Sequence, residues 1–120
     1  MTTRETVQKY LDAVAQRAGW ENLLADGVTF TSFTSPVKQL AGKPAYLEAT
    51  RRFYATVASL NVRDILVDGE RACALTHYAL RMPNGVSFTS DVAEVFAVRN
   101  GRIESLAIYF DSAPYPKPPS

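Results

Sequence analysis

The amino-acid sequence predicts an α+β fold in which N-terminal helices cover the concave side of a curved, cone-shaped antiparallel sheet. Three observations predict it. Apolar residues recur at helical spacing in stretches before residue 60, and beyond it the pattern changes to period two. The β-type segments are punctuated by Asp68-Gly69, Asn84-Gly85 and Asn100-Gly101, which read as three successive hairpins. Segments 70–82 and 86–98 also exceed the usual length of about five or six residues, so they must coil. A strongly curved sheet closed by helices leaves a ligand-sized cavity at its wide end.

The first helix begins at Thr2 and Glu5, a capping-box pair, and carries Val7, Tyr10, Leu11, Val14 and Ala15 on one face until about Ala18. A short second helix holds Trp20, Leu23 and Leu24 before the Asp26-Gly27 turn. Val28 to Phe33 alternates apolar and hydroxylated residues, as a strand with one buried face does, so Val28, Phe30 and Ser32 share a side. Thr34 to Ala41 reads as a loop around Pro36. Gly42-Lys43-Pro44 then starts a helix running to about Ser59, with Leu47, Thr50, Phe53, Tyr54 and Val57 as its inner stripe. Four strands follow at roughly 61–67, 70–82, 86–98 and 102–111. Residues 1–112 make one domain, and the proline-rich residues 113–120 make an extended tail.

Composition narrows the function. The 13 Lys and Arg nearly balance the 12 Asp and Glu, and neither sign forms a run, which argues against nucleic acid as a partner. The one cysteine, Cys73, cannot form an internal disulfide or a thiolate metal site, and a reducing cytoplasm suits it. The N-terminus is polar and no stretch approaches the ~20 apolar residues of a membrane span, so a cytoplasmic protein without membrane contact is expected. No carboxylate and histidine cluster has metal spacing, no glycine-rich phosphate loop is present, and no cofactor is expected.

The segments TVQKYLDAV from Thr6, LLADGVTF from Leu23, RRFY from Arg51, EVFAVRNGRI from Glu94 and IYFD ending at Asp111 recur in order, with Gly42 before the long helix. On these the chain resembles, over nearly its whole length, the SnoaL-like group of the nuclear transport factor two-like (NTF2-like) superfamily. That group contains polyketide cyclases, and ketosteroid isomerase and limonene epoxide hydrolase are its relatives. The resemblance implies a cystatin-like roll and acid/base chemistry without metal or cofactor. It also implies a homodimer through the outer sheet face, here expected to carry Thr76, Tyr78 and Leu80.

Carried over position by position, Tyr10 falls where ketosteroid isomerases keep the tyrosine of their oxyanion hole, and Glu94 falls at the acidic residue that assists it. Ser32 occupies the place of the isomerase's general base. The Asp-Arg-Asp set of the epoxide hydrolases is matched by His77, Leu75 and Ile108, which retain neither arginine nor carboxylate.

Parity within strands gives a second view of these positions. Val92, Glu94, Phe96 and Val98 share a face, as do Leu106, Ile108 and Phe110. If Phe96 and Phe110 mark the concave side, Glu94 points inward and Asp91 outward. The 70–82 strand is apolar on both faces, and the resemblance favours the one with Leu75, His77, Ala79 and Arg81 as the inner. His77, the only histidine, could then act as a general base near neutral pH or be satisfied by a neighbour. Glu94 could be a desolvated proton donor or pair with Arg81 or Arg63. Tyr10 could stabilise a developing oxyanion or simply pack its ring. Asp111 fixes the tail or a dimer edge.

The expected site is therefore His77, Glu94 and Tyr10 as catalytic groups, with Phe30, Ser32, Tyr54, Phe96, Ile108 and Phe110 around a small hydrophobic ligand. The expected activity is a cofactor-independent isomerase or cyclase acting on a small hydrophobic carbonyl or polycyclic compound. The alternatives are a non-catalytic ligand-binding domain and a dimeric interaction module.

Overall fold

The computed structural model describes residues 1–34 and 37–115. Helix α1 (Thr3–Gln16) opens on the expected capping box, in which Thr2 Oγ1 accepts from the Glu5 amide and Glu5 Oε1 accepts from the Thr2 amide, both at 3.1 Å. A 3-10 turn, Trp20–Leu23, leads into β1 (Leu24–Ser32). The expected loop from Thr34 to Ala41 contains a short strand instead, β2 (Lys38–Ala41), paired antiparallel with β1. Ser35 and Pro36 lie outside the described residues. Four residues of mixed polarity carry no period-two signal long enough to read.

Helix α2 (Lys43–Ala55) ends four residues before the expected Ser59. Its last turn is closed by the Thr56 hydroxyl donating to the Phe53 carbonyl at 2.6 Å. The Arg81 amide binds the Thr56 carbonyl at 2.8 Å, so the chain is already committed to the sheet. Val57, placed by the sequence on the helix, begins β3 (Val57–Asp68). Then come β4 (Arg71–Arg81), β5 (Ser87–Arg99) and β6 (Arg102–Phe110).

The three hairpins form as expected, and the sheet order is β2-β1-β6-β5-β4-β3. The β1/β6 pair is parallel, so β6 returns beside the first strand and carries the meander back to the N-terminal half. Register shifts at Ser59 and Asp64 in β3, and between Ala97 and Val98, add bends to strands of 12 and 13 residues. Helix α1 lies on the concave face against β3, β4 and β5, while α2 covers β1 and β2.

One hairpin decides which way β4 faces. A two-residue Asn84-Gly85 loop would have paired Pro83 with Val86, but proline has no N–H to contribute to the ladder. The loop therefore takes in Pro83: the Met82 amide donates to the Val86 carbonyl at 2.8 Å, and Gly85 adopts φ +89°. Arg81 pairs with Ser87, and every partner beyond is displaced by one residue relative to the shorter loop. Because side chains alternate faces, that one-residue change inverts β4. Thr76 stands opposite Val92 and Ala74 opposite Glu94, so Ala72, Ala74, Thr76, Tyr78 and Leu80 point inward and are buried. The inner face expected from the resemblance, with Leu75, His77, Ala79 and Arg81, is the outer one. The expected outer set of Thr76, Tyr78 and Leu80 is core.

The core under the helices is rich in aromatic rings. Tyr10 meets Trp20, Tyr54 and Phe96 edge-on, with centroids 6.5, 6.4 and 5.9 Å away. Trp20 meets Tyr54 at 4.7 Å. Edge-to-face packing of this kind stabilises by about 0.5–1.5 kcal/mol per pair beyond area burial.

Candidate functional site

A cavity of about 380 Å³ opens between α2 and the concave face of the sheet. Phe30, Leu40, Phe53, Leu106, Ile108 and Phe110 give it apolar walls, and Tyr54, Tyr78, Glu94, Thr50 and Ser32 supply polar atoms. This is the composition of a small-molecule site, apolar with a few placed polar groups.

Glu94 is the buried acid of this cavity. It is 2% exposed, and its partners are hydroxyls: Thr76 Oγ1 donates to Oε2 at 2.8 Å, and Tyr78 Oη lies 3.1 Å from Oε1 and 3.0 Å from Oε2. Among the described residues no cation pairs with it. Arg63 is taken by Asp91, and Arg81 is exposed. Burial pushes the Glu94 carboxyl up to about 7, against the opposing pull of the hydrogen bonds from Thr76 and Tyr78.

Thr76 lets either protonation state be satisfied. Its single hydroxyl proton can go to Glu94 Oε2 or to the Val92 carbonyl at 3.1 Å. When Glu94 is ionised, Thr76 donates to it. When Oε2 carries a proton, the carboxyl donates to Thr76, which turns its own proton to Val92. The carboxyl can change charge without orphaning a buried group.

Behind the cavity wall three tyrosine hydroxyls form a closed triangle. Tyr10 Oη lies 2.7 Å from Tyr46 Oη and 2.6 Å from Tyr54 Oη, and Tyr46 and Tyr54 are 3.2 Å apart. Burial raises the pKa of all three, so they remain protonated donors. Tyr54 reaches the cavity, whereas Tyr10 and Tyr46 are fully buried. Tyr10 thus stands one hydroxyl away from the cavity, behind Tyr54.

The other expected residues divide. Phe30, Ser32, Tyr54, Ile108 and Phe110 line the cavity with Glu94. Phe96 does not; it is fully buried behind the wall, against Tyr10. His77 lies on the convex face, across the sheet from Glu94. Its Nδ1 is 2.8 Å from Asp91 Oδ1, which also binds Arg63 Nη1 at 2.9 Å. The hydrogen bond from His77, helped by Arg63, holds the Asp91 carboxyl below its usual range. The structure thus places His77 and Glu94 on opposite faces of the sheet, because Ala74, and not Leu75, stands opposite Glu94.

Tyr46, Tyr78 and Tyr115 were missing from the expected set. Tyr46 had a signal: with Thr50 and Tyr54 it repeats every four residues, and these three are the buried residues of α2. Tyr78 was lost with the inverted face. Tyr115, read as extended tail, turns back at Asp111, whose carboxylate accepts from the Ala113 amide at 2.9 Å. Its ring packs on Phe88 and Phe110 with centroids 4.9 and 5.0 Å away, and its hydroxyl donates to Ser90 Oγ at 3.1 Å, closing one side of the cavity. Residues 116–120 lie outside the description. Among the described residues no three His, Cys, Asp or Glu side chains cluster as metal ligands, and no helix is long and apolar enough to cross a membrane.

A helix-covered curved sheet with an apolar cavity on its concave face defines the NTF2-like fold class. The model of the SnoaL-like domain matches residues 7–106, and the chain belongs to that family. Solved structures agree on the fold. An NTF2-like protein of unknown function from Burkholderia pseudomallei K96243 superposes with a TM-score of 0.79 at 24% identity, covering 92% of each chain. A candidate SnoaL-like polyketide cyclase from Jannaschia sp. CCS1 gives 0.78 at 13% identity, over 97% of this chain and 93% of the other. A candidate ketosteroid isomerase from Kribbella flavida DSM 17836 gives 0.75 at 23%, over 98% and 83%. No curated protein matches the sequence.

Proposed function

We propose that this protein is a cofactor-independent acid/base isomerase or cyclase acting on a small hydrophobic carbonyl or polycyclic compound, with Glu94 as the proton-transfer group. One observation carries the reading: a carboxyl at the wall of an apolar cavity that, among the described residues, has no cation partner and is held by hydroxyls. A pKa near neutrality suits a group that must both take and return a proton. Family membership supports it, since SnoaL-like proteins include isomerases and cyclases.

In the proposed reaction Glu94 removes a proton from carbon next to a carbonyl, and the electron pair moves onto the carbonyl oxygen as an enolate. Tyr54 donates to that oxygen. The triangle of hydroxyls then opens into a chain, Tyr46 to Tyr10 to Tyr54 to ligand, in which each hydroxyl strengthens the next. Tyr10 is a positioning residue in this scheme. Glu94 returns its proton to a different carbon to complete an isomerisation, or the enolate carbon attacks a second carbonyl to close a ring and Glu94 returns its proton to the alkoxide oxygen so formed.

The test is exchange of the C1 protons of 2-tetralone in deuterated water, followed by NMR. The protein should accelerate exchange, and Glu94→Gln should slow it by about 10²–10⁴-fold. Binding without exchange would instead support a non-catalytic ligand pocket.

We further propose a homodimer through the convex face. Leu66, Leu75 and Tyr109 are 56%, 40% and 49% exposed there, and Phe33 stacks on Tyr109 at 4.8 Å. A reducing cytoplasm fits the single cysteine, Cys73, on the same face.

A further inference from the structure

We infer that the ligand is a hydrophobic acid: its apolar body fills the cavity, its carbonyl end meets Glu94, and an anionic group meets Lys38 at the mouth. The inference rests on reading the cavity as a ligand site and adds the charge that the ligand carries.

The sheet register carries the argument. Lys38 pairs with Ser32 across β2/β1, Ser32 with Ile108 across β1/β6, and Ile108 with Glu94 across β6/β5. Directly paired residues share a face, and all four line the cavity. One row of side chains therefore runs through the site, ammonium at one end and carboxyl at the other. The two ends lie three strand spacings apart, roughly 14 Å along the curved sheet.

Lys38 has no ion-pair partner among the described residues, and its neighbour Ser32 carries a hydroxyl that no protein group engages there. The nearby Thr34 hydroxyl is committed to the Phe110 carbonyl at 3.2 Å. An ammonium and a free hydroxyl side by side are donors for a carboxylate, sulfate or phosphate oxygen. A lysine on an edge strand also blocks strand pairing, but that role is indifferent to which sheet face the ammonium takes. Here it takes the face of the cavity. Between the two ends stand Phe30, Leu40, Phe53 and Phe110, which offer nothing to a polar body.

Calorimetry with 7-oxo-7-phenylheptanoate and its methyl ester tests this, since the two differ only at the terminus, a carboxylate in one and a neutral methyl ester in the other. At pH 6, where Glu94 is mostly neutral, the acid should bind about tenfold more tightly than the ester. Lys38→Gln should reduce that preference to below about twofold, chiefly by weakening the acid, and added salt should weaken the acid alone. Equal binding of acid and ester, or a preference that survives Lys38→Gln, would overturn the anionic assignment and leave the cavity reading intact. Binding of neither probe would overturn both.

Discussion

Tyr78 Oη sits 3.1 and 3.0 Å from the two carboxyl oxygens of Glu94, so a neutral hydroxyl takes the place a cation would hold beside most buried carboxylates. A neutral donor stabilises the charged form without neutralising it, and burial then dominates. Glu94 is consequently held near neutrality rather than pinned in one state.

That arrangement makes stability depend on pH. Glu94 titrates near 4.5 unfolded and about 7 folded, so its stabilising contribution is fully present below pH 4.5 and is lost as pH rises through 7. The loss is on the order of 3 kcal/mol. Glu94→Gln imitates the protonated carboxyl, with its amide donating to Thr76. Urea denaturation should show the wild type losing stability relative to this variant between pH 5 and 8; parallel curves would contradict the assignment.

Tyr78→Phe and Thr76→Val each remove a donor that favours ionised Glu94. Both should move the Glu94 midpoint further up, visible as an upward shift in the pH profile of ketone proton exchange. A downward shift would mean that these hydroxyls do not act on the carboxyl.

Within the tyrosine triangle, Tyr10 makes the two short contacts and Tyr46 makes one short and one long. Tyr10→Phe should therefore destabilise by about 1–3 kcal/mol, more than Tyr46→Phe, in thermal or denaturant unfolding. The double variant should cost less than the sum, because the two share a hydrogen bond.

On the convex face, His77→Ala should leave proton exchange within about twofold of wild type, as a side chain across the sheet from Glu94 requires. Leu75→Glu in the same face should convert a dimer to a monomer in sedimentation velocity while leaving the pocket able to bind. A monomeric wild type would remove the dimer proposal.

Much of the fold was legible in the sequence because its signals are local. Thr2 with Glu5, the helical spacing around Tyr10, and Asn100-Gly101, whose residues adopt φ of 53° and 73°, each fix geometry within a few residues. Glu94, Ile108 and Phe110 follow inward once Phe96 and Phe110 mark the concave side, and Phe30 and Ser32 share the side of Val28. β4 is apolar on both sides, so its own pattern does not choose a face; the resemblance favours the side of His77, whereas the pairing of Arg81 with Ser87 across residues 83–85 turns Ala74, Thr76 and Tyr78 inward. Tyr115 was illegible for another reason: a tail rich in proline has no periodicity, and its contacts with Phe88 and Phe110 come from strands distant in sequence.

The most direct test of the central claim is the carbon-13 NMR titration of the Glu94 side-chain carboxyl, assigned by its disappearance in Glu94→Gln. A midpoint near 7 is predicted, with a further rise in Tyr78→Phe. A midpoint at the ordinary carboxylate value near 4.5 would contradict a desolvated acid/base group at the wall of this cavity.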